Sequence, residues 1–227
     1  EIKKQIAFMT ERCMKYVSAT ERHYMEINPD PLLSATLPSC LESGRDAYEG
    51  GAKYNNSSVT FACIASLVDS LCAVKALIYD QKLVTFNQLR EILRSDWNGY
   101  DGMRQFVLRL KEKYGNGDEV ADGLMLEFSS FCASAVNNKP NGRGSVFKAG
   151  LFSIDFCHEY GKKTCATPDG RKKGMPLSKN LCSVTGMDRN GITTLIRSVT
   201  KMDLAAFPNG SVLDFILHPT AVSGEEG

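Results

Sequence analysis

The hydrophobic and polar positions near the start of the chain repeat with the period of an α-helix. Apolar side chains recur every three or four residues along 2–17, and Lys and Glu lie between them. This spacing predicts an amphipathic helix with one apolar stripe. The stripe consists of Ile2, Ile6, Met9, Cys13, Tyr16 and Val17. The prolines of INPDPLL disfavour helical geometry at the residues before them, so the helix is predicted to end there.

The same periodicity predicts further helices along the chain. LPSCLESG indicates a short helix that ends at Gly44. TFNQ at 85–88 has the Thr-x-x-Gln form of a capping box and predicts a helix to about Ser95. Three longer helical patterns cover 101–112, 119–136 and 191–202.

Three apolar runs predict β-strands. VTFACIASLV (59–68) is β-branched and does not alternate, as in a strand buried on both faces. Asp69 and Ser70 then predict the N-cap of a helix through about Ile78. SVFKAGLFSI (145–154) and SVLDFILH (211–218) are the other two strands. About three strands cannot close a barrel, which needs roughly eight, so the sheet is small or other strands lie outside this sequence.

Strand, helix and loop are interleaved without a linker, which predicts that residues 1–227 form a single α/β segment. The chain has 27 Lys+Arg and 26 Asp+Glu, so it has almost no net positive charge that would attract nucleic acid or an anionic membrane. The sequence also has no run of 18 apolar residues and no signal-peptide pattern. Nucleic acid and membrane are therefore not predicted partners.

The eight cysteines are scattered, without a C-x-x-C pair or a neighbouring His pair, so neither a metal site nor a disulfide framework is predicted. Cys63, Cys72 and Cys132 lie in apolar runs, as small buried hydrophobic residues do. This usage is typical of a reducing, cytoplasmic protein.

Known catalytic motifs are absent from the sequence: it has no G-x-S-x-G, phosphate loop, dinucleotide fingerprint or H-E-x-x-H. His158 follows a predicted strand and His218 ends another, but without a visible partner a structural role is favoured for both, and for the surface residue His23. Asp155 and Asp214 are expected to face outward or to pair with Arg or Lys, because an unpaired carboxylate in a core is costly.

The segment ATPDGRKKGMPLSKN (166–180) combines prolines, glycines and cations in a rigid basic turn. Pro168 restricts φ, Asp169-Gly170 provides a tight turn, and Arg171 can fork onto a carboxylate or onto carbonyls. The turn is either a surface loop or part of the wall of a site, and its cations are expected to be packing groups rather than catalysts.

Several segments, in order, resemble the glycyl radical enzymes of the pyruvate formate-lyase and glycerol dehydratase type. GRDAYEGGAKYN (44–55) resembles their G-x-D-x-x-x-GGA-x-YN segment, and LVDSLCAVKALIYD (67–80) resembles the DSL-A-x-K helix. KYGNGDEVAD (113–122) is similar to K-Y-G-N-D-x-x-x-AD, and GRGSVFKAGLFS (142–153) to R-x-G-x-F-x-x-G-L-Y. The most specific match is 165–203, which resembles their ATPDGR-x-x-G-x-P-L block and the residues that follow.

The resemblance implies an α/β fold that is part of a ten-stranded glycyl radical enzyme barrel, helix-rich with few strands in this segment. It implies hydrogen abstraction from a small organic substrate inside a dry cavity, leading to dehydration, decarboxylation or C–C or C–N cleavage. The implied partners are the substrate, the remaining parts of the same barrel, a second copy in a homodimer, and an activating enzyme that uses S-adenosylmethionine to install a glycyl radical. The implied location is the cytoplasm or a bacterial microcompartment.

Both radical-bearing motifs of the family are missing from the sequence. No Gly-Cys motif is present, and no R-V-x-G-Y loop follows the predicted LHP strand end. The segment therefore resembles a middle-to-late part of the family, with no catalytic residue, metal ligand or bound cofactor predicted, and the chain alone is expected to be inactive. The alternative is a non-catalytic interaction or scaffold protein derived from the same fold.

The resemblance also suggests residues of the substrate pocket. Phe152 stands where dehydratases have the Tyr of G-L-Y, which predicts a more apolar wall than one built for glycerol. Phe215 on the last strand, with Tyr54 and Asn55 of the GGAKYN turn, completes the predicted pocket set. For each aromatic residue, core packing is an equally good interpretation.

Overall fold

A computed structural model describes residues 1–215 of the chain. These residues form two compact units. The first comprises Glu1–Phe61, Phe128–Gly150 and Asp203–Gly210. The second comprises Ala62–Glu127, Leu151–Met202 and the described residues from Ser211 to Phe215.

The first unit begins with the predicted amphipathic helix, α1 (Ile2–Glu21). Much of its apolar stripe is exposed, with Met9 at 62% and Tyr16 at 75% of full exposure. Short helices follow at α2 (Tyr24–Ile27), α3 (Pro31–Thr36) and α4 (Pro38–Ser43), and a 3₁₀ turn at Ala47–Glu49. Gly44 ends α4 in the left-handed region, at φ 63°, which confirms the predicted stop.

The core of the first unit lies where a two-stranded sheet meets a long helix. Strand β1 (Ser57–Phe61) pairs with β2 (Phe147–Leu151). The helix runs Glu119–Val136, as predicted, and its second half belongs to this unit. Phe147 and Val136 are fully buried. The side chain of Asn137 accepts a bond from the Ala149 amide at 2.8 Å, which ties the end of this helix to β2.

The second unit is mainly helical. After α5 (Ile64–Val74) and a π-helical turn (Lys75–Asp80) come α6 (Phe86–Arg94) and α7 (Asp101–Leu108). The Glu119–Val136 helix is α8, and its first half belongs to the second unit. The later helices of this unit are α9 (Phe156–Lys163) and α10 (Ile192–Val199). A 3₁₀ turn at Leu204–Ala206 follows and belongs to the first unit. A buried cluster of apolar residues forms the core: Ala73, Leu77, Leu89, Ile92, Trp97, Val107 and Ala166.

The predicted strand over 59–68 is wrong in its second half. Strand β1 ends at Phe61, and α5 starts at Ile64. Cys63, at φ 63°, takes the left-handed conformation between them. An apolar run without alternation fits a buried helix as well as a buried strand, and only the tertiary packing decides. The predicted N-cap at Asp69 is wrong for the same reason, because Asp69 lies inside α5 and is fully buried.

Other boundaries also differ from the predictions. Strand β2 is shorter than 145–154, and α7 is shorter than 101–112. Helix α9 was not predicted, because its sequence FCHEYGKK carries only a short apolar pattern. Of SVLDFILH, residues 211–215 form a single parallel bridge, Leu151 with Ser211, rather than a strand, and the rest lies outside the described residues.

No helix within residues 1–215 combines the length and the apolar character needed to cross a membrane.

Candidate functional site

The ATPDGR turn is built around the guanidinium of Arg171, which is only 4% exposed. It donates to the backbone carbonyls of Thr164, Cys165, Lys172 and Met175. Its Nε also bonds the Thr167 hydroxyl at 3.2 Å. One planar cation thus satisfies carbonyls on both sides of the turn, which confirms the prediction that it is a packing group.

Two side chains from other parts of the second unit donate hydrogen bonds to the backbone of this turn. The indole Nε1 of Trp97 donates to the Thr167 carbonyl at 3.3 Å, and Nε of Arg104 donates to the Gly170 carbonyl at 2.8 Å. Gly170 adopts φ 95°, and an added Cβ there would lie 2.9 Å from the side chain of Leu108. The turn is therefore both left-handed and tightly packed at Gly170.

A second polar junction lies at the end of β2, where the side chain of Asn180 joins two segments of the chain. Asn180 is 5% exposed and has φ 49°. Its Oδ1 accepts from the amides of Ser153 at 2.7 Å and Ile154 at 3.0 Å. Its Nδ2 donates to the carboxylate of Asp214. We call Ser153, Asn180 and Asp214 the Asn180 junction.

The Asn180 junction places two of the predicted pocket residues on neighbouring segments. Phe152 immediately precedes Ser153 and is partly buried, and Phe215 immediately follows Asp214 and is 52% exposed. The parallel bridge between Leu151 and Ser211 holds the same two segments together. Their role in substrate binding remains a prediction.

The charged groups beside the Asn180 junction pair with one another. Nζ of Lys179 lies 3.3 Å from Asp155 and 3.8 Å from Asp214, which confirms the salt-bridge interpretation of both carboxylates. The hydrogen bond and the charge of Asp155, with the charge of Asp214, raise the pKa of Lys179. Cys182 donates its thiol to the Asp214 carbonyl at 3.0 Å, and burial raises the pKa of that thiol. The thiol thus favours its protonated form, which is a poor nucleophile.

The other two predicted pocket residues belong to the first unit. Asn55 is 7% exposed, and its Nδ2 donates to the Arg143 carbonyl at 3.0 Å. Its buried Oδ1 has no hydrogen-bond partner among the described residues. Tyr54 is 80% exposed. Their predicted part in the pocket stays a prediction.

The remaining candidates for chemistry are isolated or buried. His23 is exposed beside Glu26, His158 lies exposed on α9, and His218 is outside the described residues. Burial raises the pKa of the Cys63 thiol to about 11 and those of Cys72 and Cys132 to about 12. All eight cysteines are free thiols, and residues 1–215 contain no group of three His, Cys, Asp or Glu side chains able to hold a metal ion.

Sequence reasoning missed Asn180, Ser153 and Lys179. Their partners are far away in sequence, since Asn180 bonds residues 26 to 34 positions from itself. The local signal is weak: Asn is enriched at left-handed positions, and LSKNL is a polar break between apolar residues.

Comparison with known proteins relates this chain to one family. A model of the family "pyruvate formate lyase-like" matches residues 1–161. The (2S)-3-sulfopropanediol dehydratase of Klebsiella oxytoca is 31% identical over all of this chain. The trans-4-hydroxy-L-proline dehydratase of Clostridioides difficile is 31% identical over 99% of it. This chain spans 28% of the length of each of these curated relatives.

Solved structures of the same family are also similar to this chain. The B12-independent glycerol dehydratase of Clostridium butyricum, in its glycerol-bound form, superposes with a TM-score of 0.91 at 30% identity. The superposition covers 99% of this chain and 28% of that one. The helix-rich architecture with two strands in residues 1–215 is consistent with part of a glycyl radical enzyme barrel. The chain belongs to the pyruvate formate lyase-like family of glycyl radical enzymes.

Proposed function

We propose that this chain supplies part of the cavity wall of a glycyl radical dehydratase that acts on a small hydroxylated organic substrate. The observation that carries the proposal is the superposition of 99% of the chain on a glycerol-bound dehydratase. The dehydratases of sulfopropanediol and hydroxyproline, which align along almost the whole chain, support the same branch.

We assign the side chains of Phe152 and Phe215 to the part of the wall that contacts the substrate. The Asn180 junction holds the two segments that carry these side chains. Two phenyl rings exclude water and offer no hydrogen bond. Exclusion of water protects a reactive radical from side reactions. A phenyl group at 152 also lacks a hydroxyl that could bond a substrate, so the proposed substrate is less polar than glycerol near this residue.

The radical itself is assigned to residues outside this chain. The 227 residues contain neither a Gly-Cys dipeptide nor an R-V-x-G-Y sequence. In the proposed whole protein, a glycyl radical installed by an S-adenosylmethionine-dependent activating enzyme starts the reaction, and this chain's residues shape and dry the cavity. We propose a homodimer that works in the cytoplasm or in a microcompartment.

The first test reads the DNA on both sides of the coding region. A Gly-Cys loop encoded upstream and an R-V-x-G-Y loop encoded downstream in the same frame support the enzyme. A start codon directly before residue 1 together with a stop codon directly after residue 227 would support the scaffold protein and contradict the enzyme.

The second test is the Phe152→Tyr variant of the whole activated enzyme. Because one restored hydroxyl is worth about 0.5–1.5 kcal/mol, the ratio of kcat/KM for glycerol over 1,2-propanediol should rise about 2- to 13-fold. Phe156→Tyr is the matched control, since Phe156 is 56% exposed on α9. An unchanged ratio in Phe152→Tyr, or an equal rise in the control, would remove Phe152 from the pocket.

A further inference from the structure

The second unit contains an ion pair that is almost completely buried. Asp69 on α5 is 0% exposed, and Lys113, in the loop after α7, is 2% exposed. Nζ of Lys113 lies 3.7 Å from Oδ2 of Asp69. Buried ionic groups are costly unless they are paired and fully hydrogen-bonded, so this pair needs a physical explanation.

The hydrogen bonds of the pair are incomplete. Oδ2 of Asp69 has no hydrogen-bond partner in the described residues. A charge-assisted N–H···O bond is normally about 2.7–2.9 Å long. A buried pair with such long contacts is weak evidence for stabilisation, because the loss of hydration offsets the attraction between the charges.

The same two side chains connect three parts of the unit. Oδ1 of Asp69 accepts from the Tyr114 amide at 2.9 Å, which attaches the 113–114 backbone to α5. Nζ of Lys113 then reaches the Asp169 carbonyl at 3.5 Å, at the centre of the ATPDGR turn. The path from α5 to the turn thus passes through one carboxylate and one ammonium group.

We propose that Asp69 and Lys113 are positioning residues, which fix the ATPDGR turn against α5 without adding appreciably to the stability of the fold. The inference concerns the second unit alone and does not rest on the proposed radical chemistry. Stability and turn geometry should therefore respond differently when the pair is removed.

Protonation gives an independent readout. Burial raises the pKa of Asp69 to about 7, although the charge of Lys113 lowers it. The nearby carboxylate of Asp169 also raises this pKa. The charge of Asp69 in turn raises the pKa of the Cys72 thiol on the same helix. Between about pH 4 and 7, the folded chain therefore keeps a proton on Asp69 that the unfolded chain has already released. The contribution of this group to stability is fully present below about pH 4 and is lost as the pH rises through about 7.

The test uses the 227-residue chain and the variants Asp69→Asn, Lys113→Met and the double variant. Hydrogen exchange of the Gly170 and Arg171 amides, followed by NMR, should accelerate about tenfold in Lys113→Met and in the double variant. The melting temperature of the double variant should equal or exceed that of the wild type, and should exceed that of Asp69→Asn, which leaves an ammonium buried without its counterion.

Lys201→Met is the matched control, because the ammonium group of Lys201 pairs with Glu119 and with the buried Asp122, both at 2.9 Å, and not with the turn. It should leave exchange at Gly170 and Arg171 unchanged. Asp69→Asn should also remove the fall in melting temperature between pH 4 and 7. Wild-type exchange rates in Lys113→Met, the same acceleration in the control, or a double variant that melts below the wild type would each overturn the proposal.

Discussion

At the scale of single residues, two polar side chains organise the second unit by bonding backbone groups. Arg171 satisfies the carbonyls of the ATPDGR turn, and Asn180 satisfies the amides of Ser153 and Ile154. Backbone groups buried without partners cost about 1–3 kcal/mol each. A side chain that supplies several such bonds determines the path of a loop that has no regular secondary structure.

Two replacements of Asn180 separate the contribution of its hydrogen bonds from that of its left-handed backbone conformation. Asn180→Ala should lower the free energy of unfolding by about 2–4 kcal/mol, because it leaves the buried Ser153 amide and the partly buried Ile154 amide without an acceptor. It also places Ala, which tolerates the left-handed conformation less well than Asn, at this position. Asn180→Gly should cost about 1 kcal/mol less, since Gly tolerates φ 49°. Urea unfolding of the 227-residue chain measures both values.

The control for this pair of variants is Asn138→Ala. Asn138 is also left-handed, at φ 63°, but it is exposed. Asn138→Ala should lose the conformational part, about 1 kcal/mol, together with one exposed hydrogen bond from Nζ of Lys148 to Oδ1 of Asn138. Equal losses in Asn138→Ala and Asn180→Ala would show that the buried amide bonds of Asn180 contribute nothing.

At the scale of elements, local signals determine some boundaries and tertiary packing determines others. Helix α6 starts at a complete capping box, in which Thr85 accepts from the Gln88 amide and Gln88 accepts from the Thr85 amide. Helix α5 starts without a side-chain cap, after the left-handed Cys63. Its buried residues, including Val68 and Ala73, are fully enclosed, so packing rather than capping defines this helix.

The capping box can be tested directly. Thr85→Ala should lower the free energy of unfolding by about 1 kcal/mol, because the Gln88 amide loses its acceptor. Thr185→Ala, at an exposed turn position, is the control and should change stability by less than about 0.5 kcal/mol. If the two variants are equally stable in urea, the cap contributes nothing to this chain.

At the scale of the whole molecule, the chain is a family member that spans 28% of the length of its relatives. Its α1 leaves apolar residues such as Met9 and Tyr16 exposed, an uncommon arrangement for a helix that has an apolar stripe. The proposed wall function therefore concerns its place in a larger barrel, and we expect the 227 residues by themselves to form no radical, because they lack both motifs.

Electron paramagnetic resonance tests that statement. The isolated chain, incubated without oxygen with an S-adenosylmethionine-dependent activating enzyme, should give no glycyl radical doublet, because it lacks the R-V-x-G-Y sequence. A glycyl radical enzyme that contains the R-V-x-G-Y sequence, incubated in the same way, is the positive control. A doublet from the isolated chain would contradict the prediction and place a radical on a glycine of this sequence.

The sequence by itself determined the elements whose signals are local. The α1 periodicity, the Gly44 stop, the Thr85 capping box and the full extent of α8 follow from neighbouring residues, and the ordered motifs identified the family. Such features depend on contacts within one or two turns, which a pattern of residues records.

Only the tertiary structure decided the rest. It divided the run 59–68 between β1 and α5, moved Asp69 from a predicted cap to a buried pair with Lys113, and joined Ser153 to Asp214 through Asn180. Each of these features depends on partners at least tens of residues away in the chain or on burial by other elements. A local pattern carries no information about such partners, because they become neighbours only when the chain folds.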